Sequence, residues 1–179
     1  ATDALDRFDY AAALDSIEGT FWVFCDHYLE LVKGRAYRET DVVKRRSALA
    51  TLAISLRTFV LCFAPYLPYM TEEIWSWSFA DGEGASVHRQ SWPKSSDFAA
   101  QGSGQSLDAA IEVLTQIRAH KTAQQKSLNF PASEVIVSCD ASISSILDEI
   151  KDDLIRAGSI EKWTVDVNDA DVPVVKTVL

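Results

Sequence analysis

Seven apolar residues near the start of the chain, Tyr10, Leu14, Ile17, Phe21, Phe24, Tyr28 and Leu31, recur at alternating spacings of four and three. A helix gathers that spacing onto one face, whereas a strand scatters it over two. The spacing predicts one long helix from Asp9 to Tyr37. Gly19 inside it costs about 1 kcal/mol relative to alanine, which a stripe of this length overrides. Asp41 reads as the N-cap of a second helix reaching Phe63, with Leu49, Leu52, Leu56, Phe59 and Phe63 on its apolar face. Pro65 and Pro68 end it, because proline lacks a backbone donor and forces its predecessor out of helical geometry. A short connection between two amphipathic helices implies an antiparallel pair. A third, short helix runs from Pro68 to Trp77, where Glu72 and Glu73 suit the positive end of the helix dipole.

The character changes downstream. Asp81 to Ala85 reads as a loop, Val87 to Trp92 as a short extended piece, and Lys94 to Gln105 as a polar linker. A fourth helix is expected after Ser106, with Leu107, Ile111, Leu114 and Ile117 on one face. It turns wholly polar from Lys121 to Lys126, where its end is expected to project into water. Glu134 to Cys139 is strand-like. Ile143, Ile146, Leu147, Ile150 and Leu154 mark a helix closed by Gly158. Lys162 to Val167 alternates at period two, and Val172 to Val178 reads as a last strand. The expected fold is a mainly α helical bundle with a small appended α/β unit at the C-terminus, divided into residues 1–100 and 101–179.

Composition narrows the function classes. At 179 residues and 47% hydrophobic content, the chain can bury one sizeable core, with or without a satellite. It contains no uninterrupted apolar run of 18 residues and no basic-then-apolar leader, so no membrane association is expected. It opens Ala-Thr-Asp without an initiator Met, as a fragment or a processed chain does. Cys25, Cys62 and Cys139 form no CxxC pair, which fits a reducing cytoplasm. The net charge of −9 argues against nucleic acid when taken alone. Its distribution argues otherwise, because Lys33, Arg35, Arg38, Lys44, Arg45 and Arg46 face only Glu39 and Asp41 in one short stretch. The acidic excess lies between Glu134 and Asp171. Salt screens exposed charges beyond about 8 Å, so a local basic patch can attract phosphate on an acidic protein.

Two stretches carry a family resemblance. Phe21-Trp-Val-Phe-Cys-Asp-His-Tyr-Leu-Glu-Leu-Val-Lys-Gly-Arg-Ala-Tyr37 resembles the anticodon-binding domain of valyl-tRNA synthetases. Phe63-Ala-Pro-Tyr-Leu-Pro-Tyr-Met-Thr-Glu-Glu-Ile-Trp75 resembles a block shared by the valine, isoleucine, leucine and methionine class I enzymes. Ile117-Arg and Ser127-Leu-Asn-Phe-Pro are similar to a later segment of the same family. The resemblance covers residues 3 to 137 and implies a helical bundle that binds the anticodon arm of a tRNA, valine-accepting by the first stretch, with the anticodon-binding domain of an isoleucyl-, leucyl- or methionyl-tRNA synthetase as the alternative. The family's active-site signatures His-Ile-Gly-His and Lys-Met-Ser-Lys-Ser do not occur in this sequence. The resemblance therefore assigns ATP, Mg and the chemistry to the catalytic domain of a parent chain. It implies no catalytic residue and no cofactor in these 179 residues.

The candidate RNA-binding residues follow. Lys33, Arg35, Arg38, Lys44, Arg45 and Arg46 can neutralise phosphates, and Tyr37 can stack on an unpaired base. Composition alone fits a solvated hairpin equally well, and the resemblance tips the reading towards RNA. Arg118 and Lys121 are candidates for a secondary RNA contact, with a solvated helix end as the alternative. His27, His88 and His120 share no metal-ligand spacing with one another or with the cysteines. Glu72-Glu73 and Asp152-Asp153 are adjacent helical residues that diverge by about 100 degrees and share no proton-transfer site. Phe21, Phe24, Phe59 and Phe63 are assigned to the bundle interior, and Trp75 to packing beneath it. A competing class remains: a bundle that only docks on protein neighbours, its charges serving solubility.

Overall fold

The computed structural model describes residues 1–82, 85–98 and 104–179. Parts of the expected Asp81–Ala85 loop and Lys94–Gln105 linker lie outside the described residues. The chain forms two compact units, one of residues 1–29 and 40–100, the other of residues 30–39 and 101–179. A single division at residue 100 does not describe residues 30–39, which belong with the C-terminal part.

The first unit is helical. A short helix α1 (Thr2–Asp6) precedes α2 (Tyr10–Val23), whose N-cap Asp9 accepts the Ala12 N–H. The helical path continues through a π-turn, Phe24–Tyr28, into α3 (Leu29–Arg38). The one helix expected from Asp9 to Tyr37 is thus three segments. The π-turn's extra residue rotates each later side chain by about 100° from its place on an uninterrupted helix. That explains how one apolar stripe serves two cores, with Phe21 and Phe24 in the first unit and Leu31 in the second.

Helix α4 (Val42–Phe63) begins at Asp41, whose carboxylate accepts the Val43 and Lys44 N–H groups. It pairs antiparallel with α2 through an aromatic seam. Phe21 meets Phe59 and Phe63 edge-on at 5.2 and 5.4 Å between ring centroids, and Phe24 meets Phe59 at 5.3 Å. Such contacts add about 0.5–1.5 kcal/mol each beyond area burial. The Tyr66 hydroxyl donates to the Tyr10 carbonyl at the other end of the pair. Helix α5 (Pro68–Ser78) starts with proline in its first turn. It sets Trp75, 3% exposed, among Val60, Leu61, Ala64 and Val87, with the Arg57 guanidinium over its ring. The Glu72 carboxylate accepts the Ser86 hydroxyl and the Val87 N–H and so anchors the following chain. Val87–Arg89 is a single 3-10 turn rather than the extended piece expected, with the Ser86 hydroxyl accepting the His88 N–H. By length and composition α4 is apolar enough to cross a membrane, a property that a count of uninterrupted apolar residues misses. Its phenyl rings are engaged by α2, as a bundle helix requires.

The second unit is a two-layer α/β structure. Helix α6 (Gln105–Ala123) leads to β1 (Glu134–Cys139), α7 (Ala141–Gly158), β2 (Trp163–Val167) and β3 (Val174–Val178). The strand order is β2-β1-β3, with β2 parallel and β3 antiparallel to β1. Val135, Val137 and Cys139 alternate onto the buried face of β1. There they share a core with Val113, Leu114 and Ile117 of α6, Leu147 and Leu154 of α7, and Leu31 of α3. The Gln116 amide donates to the Pro173 carbonyl and accepts the Val175 N–H, fixing β3. Gly158 is the last residue of α7, and Ser159 takes the left-handed conformation at φ 49°. A Cβ at Gly158 would lie 2.9 Å from the Ile160 side chain, so a larger residue would have to displace that side chain.

Candidate functional site

The cations expected at one corner are divided between the units. Lys33, Arg35 and Arg38, with Tyr37, lie in the second, and Lys44, Arg45 and Arg46 in the first. Each group has its own geometry within its unit.

On the first unit, Lys44, Arg45 and Arg46 are exposed in the opening turns of α4. Cations near a helix N-terminus are repelled by its dipole, at about 0.3–1 kcal/mol each when exposed. The Asp41 carboxylate already occupies the first backbone donors. An incoming anion would therefore meet the side chains rather than the backbone, and would relieve the repulsion between the cations and the dipole.

On the second unit, Glu30, Lys33, Gly34, Tyr37 and Arg38 lie on one face of α3, at the i, i+3, i+4, i+7, i+8 spacing of a helical stripe. With Asn129, Arg156, Ala157 and Ser159 they line a cleft of about 500 Å³. Tyr37 is 85% exposed, so its ring is available to stack. Lys33 pairs with Glu30 one turn earlier. Arg156 reaches Glu39 at 3.1 Å, and its aliphatic stem lies against Gly34, where a Cβ would come within 2.9 Å of it. A cleft that combines an aromatic face, guanidinium groups and an amide can hold a planar base and its phosphate.

Arg35 belongs to the other side of α3. Its guanidinium pairs with Asp153 of α7 at 2.9 Å. Burial pushes the Asp153 carboxyl above the usual carboxylate range, and the neighbouring Arg35 and Arg156 charges only partly offset it. Arg35 thus fastens α3 to α7, and its charge is already committed within the protein.

Lys121 is a clear correction. It is fully buried, and its ammonium donates to the Leu128 carbonyl at 2.9 Å and the Gly158 carbonyl at 2.8 Å. The polar end of α6 does not project into water at this residue, because the chain folds back over it and the Lys126 N–H closes on the Lys121 carbonyl at 2.9 Å. Lys121 cannot touch RNA in this arrangement. Arg118 is half-buried one turn earlier. Among the described residues, no group of three or more His, Cys, Asp or Glu is placed to hold a metal.

Sequence reasoning did not find Asn129 and Arg156. Both lie about a hundred residues from α3, and neither falls in a basic cluster. A helical-face reading of residues 30 to 38, which separates Arg35 from Lys33, Tyr37 and Arg38, was available and would have sorted the candidates.

Residues 1–136 match the sequence model of a family described as the anticodon-binding domain of tRNA ligase. The valine--tRNA ligase of Cutibacterium acnes is 37% identical over 166 residues, covering 92% of this chain and 19% of its own length. The valine--tRNA ligase of Salinispora tropica is 37% identical over 190 residues, covering 97% of this chain and 21% of its own. That of Leifsonia xyli is 39% identical over 162 residues, covering 89% and 18%. The chain spans about a fifth of the length of these relatives. Matched over residues 1–136 of its 179, the chain belongs to the anticodon-binding domain family of the tRNA ligases.

Proposed function

We propose that the chain binds the anticodon arm of a tRNA, a valine-accepting one, as a module of a valine--tRNA ligase. The observation that carries this reading is the cleft on α3, where Tyr37 stands exposed between Lys33 and Arg38 with Asn129 and Arg156 opposite. Single-stranded loops are recognised by stacking on such rings and by hydrogen bonds to base edges, while cations hold the phosphates. Tyr37 stacks on an unpaired base, Arg38 and Arg156 meet its phosphate or its edge, and the Asn129 amide reads an edge. Lys44, Arg45 and Arg46 bind backbone phosphates. In the full-length ligase, ATP, Mg and the acylation chemistry belong to a catalytic domain outside these residues, and the protein works in the cytoplasm.

Filter binding of a valine-accepting tRNA transcript over a range of salt tests the reading. Tyr37→Ala should weaken binding without changing its salt dependence. Arg45→Glu with Arg46→Glu should weaken it and flatten that dependence. If both variants bind as the parent chain does, these surfaces do not meet the RNA.

A further inference from the structure

We propose that Lys121 is the positioning residue of the cleft, its ammonium clamping together the two wall segments that face α3. This rests on the reading of the cleft as the RNA site. One wall is the loop between α6 and β1, where Leu128 precedes Asn129. The other is the end of α7, where Gly158 sits between the lining residues Ala157 and Ser159. The ammonium takes one carbonyl from each, Leu128 at 2.9 Å and Gly158 at 2.8 Å, from a fully buried position.

The acceptors suit a cation. The Gly158 carbonyl is among those a helix leaves without an intrahelical partner, and it stands at the negative end of the α7 dipole. Ala132 pairs with Ile160 farther along, holding the same two segments at a second point. Without Lys121 the Ala132 N–H still holds the Ser159 carbonyl, while Asn129 and the end of α7 at Gly158 lose their tie. A buried lysine is costly, and a packed apolar residue would fill the same volume with a smaller desolvation penalty. What an apolar residue cannot supply is a directional tie between two carbonyls at the residues next to the cleft.

The test compares Lys121→Met and Lys121→Gln with Leu147→Ala, a destabilised core variant of the same unit away from the cleft lining. The glutamine amide can still donate to one carbonyl, so that variant also covers the case in which the methionine variant does not fold. With every chain studied below its unfolding transition, Lys121→Met should bind the valine-accepting tRNA about tenfold more weakly, and Lys121→Gln less so. Their salt dependence should match the parent's, because a buried ammonium releases no counterion from phosphate. Leu147→Ala should bind as the parent does. Amide exchange at Phe130, whose N–H donates to the Ser127 carbonyl in the Leu128–Asn129 loop, and at Ser159 should quicken in the Lys121 variants of the RNA-free chain and not in Leu147→Ala. Parent-like affinity in the Lys121 variants, or a loss equal to that of Leu147→Ala, overturns the proposal. If Tyr37→Ala also binds normally, the cleft reading itself fails. The exchange rates then decide the clamp separately, and unchanged rates at Phe130 and Ser159 overturn it.

Discussion

The two basic stretches of this chain resemble each other in sequence and serve opposite physical ends. Lys44, Arg45 and Arg46 stand exposed in the first turns of α4, where the helix dipole disfavours them. Lys121, near the end of α6, is buried with its charge on two carbonyls. Placement by the dipole does not sort them, since Lys121 sits at the favourable end of its helix and the α4 cations at the unfavourable end. The difference lies in what the chain does next. After α6 it doubles back over the helix end, whereas the α4 cations stay on the surface. On the proposed function, the exposed α4 cations meet phosphate at the surface. A cation enclosed by carbonyls points to architecture.

The largest expected effect separates the two directly. Lys121→Met leaves the Leu128 and Gly158 carbonyls without a donor, at about 1–3 kcal/mol each. Urea unfolding of the chain should therefore show a loss of about 2–5 kcal/mol, while Lys44→Met should stay within about 0.5 kcal/mol of the parent. Equal effects at both positions would erase the distinction.

The contrast also shows what was legible beforehand. Local, periodic features could be read. The Phe21/Phe24 and Phe59/Phe63 seam follows from helical spacing, the α4 start from Asp41, and the alternation of β1 from its valines. Features that depend on distant partners could not. Nothing near Lys121 in sequence announces the Gly158 carbonyl, and nothing near Tyr37 announces Asn129 or Arg156. Charge counted along the chain groups Arg35 with its basic neighbours. Charge counted around α3 puts Arg35 apart from the face of Lys33, Tyr37 and Arg38, which is where Asp153 finds it. The π-turn at Phe24–Tyr28 is a third kind of omission, because the residues there have no local signature that distinguishes it from a regular turn.

A smaller effect sharpens the α4 side. Arg45→Glu with Arg46→Glu should reduce the slope of log affinity against log salt by about 0.7–0.9 for each phosphate no longer neutralised. It should leave stability equal or raised by up to about 1 kcal/mol, because acidic residues suit a helix N-terminus. A fall in stability would mean these arginines are structural after all. Asp41→Ala should cost about 0.5–2 kcal/mol by removing the cap on Val43 and Lys44. The chain should still bind tRNA with the parent's salt slope, since the α4 cations remain.

The smallest effect is the pH dependence that burial imposes on Lys121. Burial and the nearby Arg118 charge hold its ammonium below the usual 10.5. Between the folded value and 10.5, the unfolded chain carries more protons than the folded one, so raising the pH favours the folded chain. The contribution is fully present above 10.5 and is lost as the pH falls through the folded value. Burial raises the Cys62 and Cys139 thiols, which act in the opposite direction, because a folded pKa above the unfolded one costs stability as the pH climbs. The parent and Lys121→Met share those thiols, so subtracting one stability profile from the other cancels them. The parent's advantage over Lys121→Met should therefore widen as the pH rises towards 10.5. The neutral amine retains two N–H donors, one for each of the two carbonyls it holds. A parent advantage over Lys121→Met that shrinks over that range would mean the buried pair of hydrogen bonds needs the charge, and that the clamp is ionic rather than merely directional.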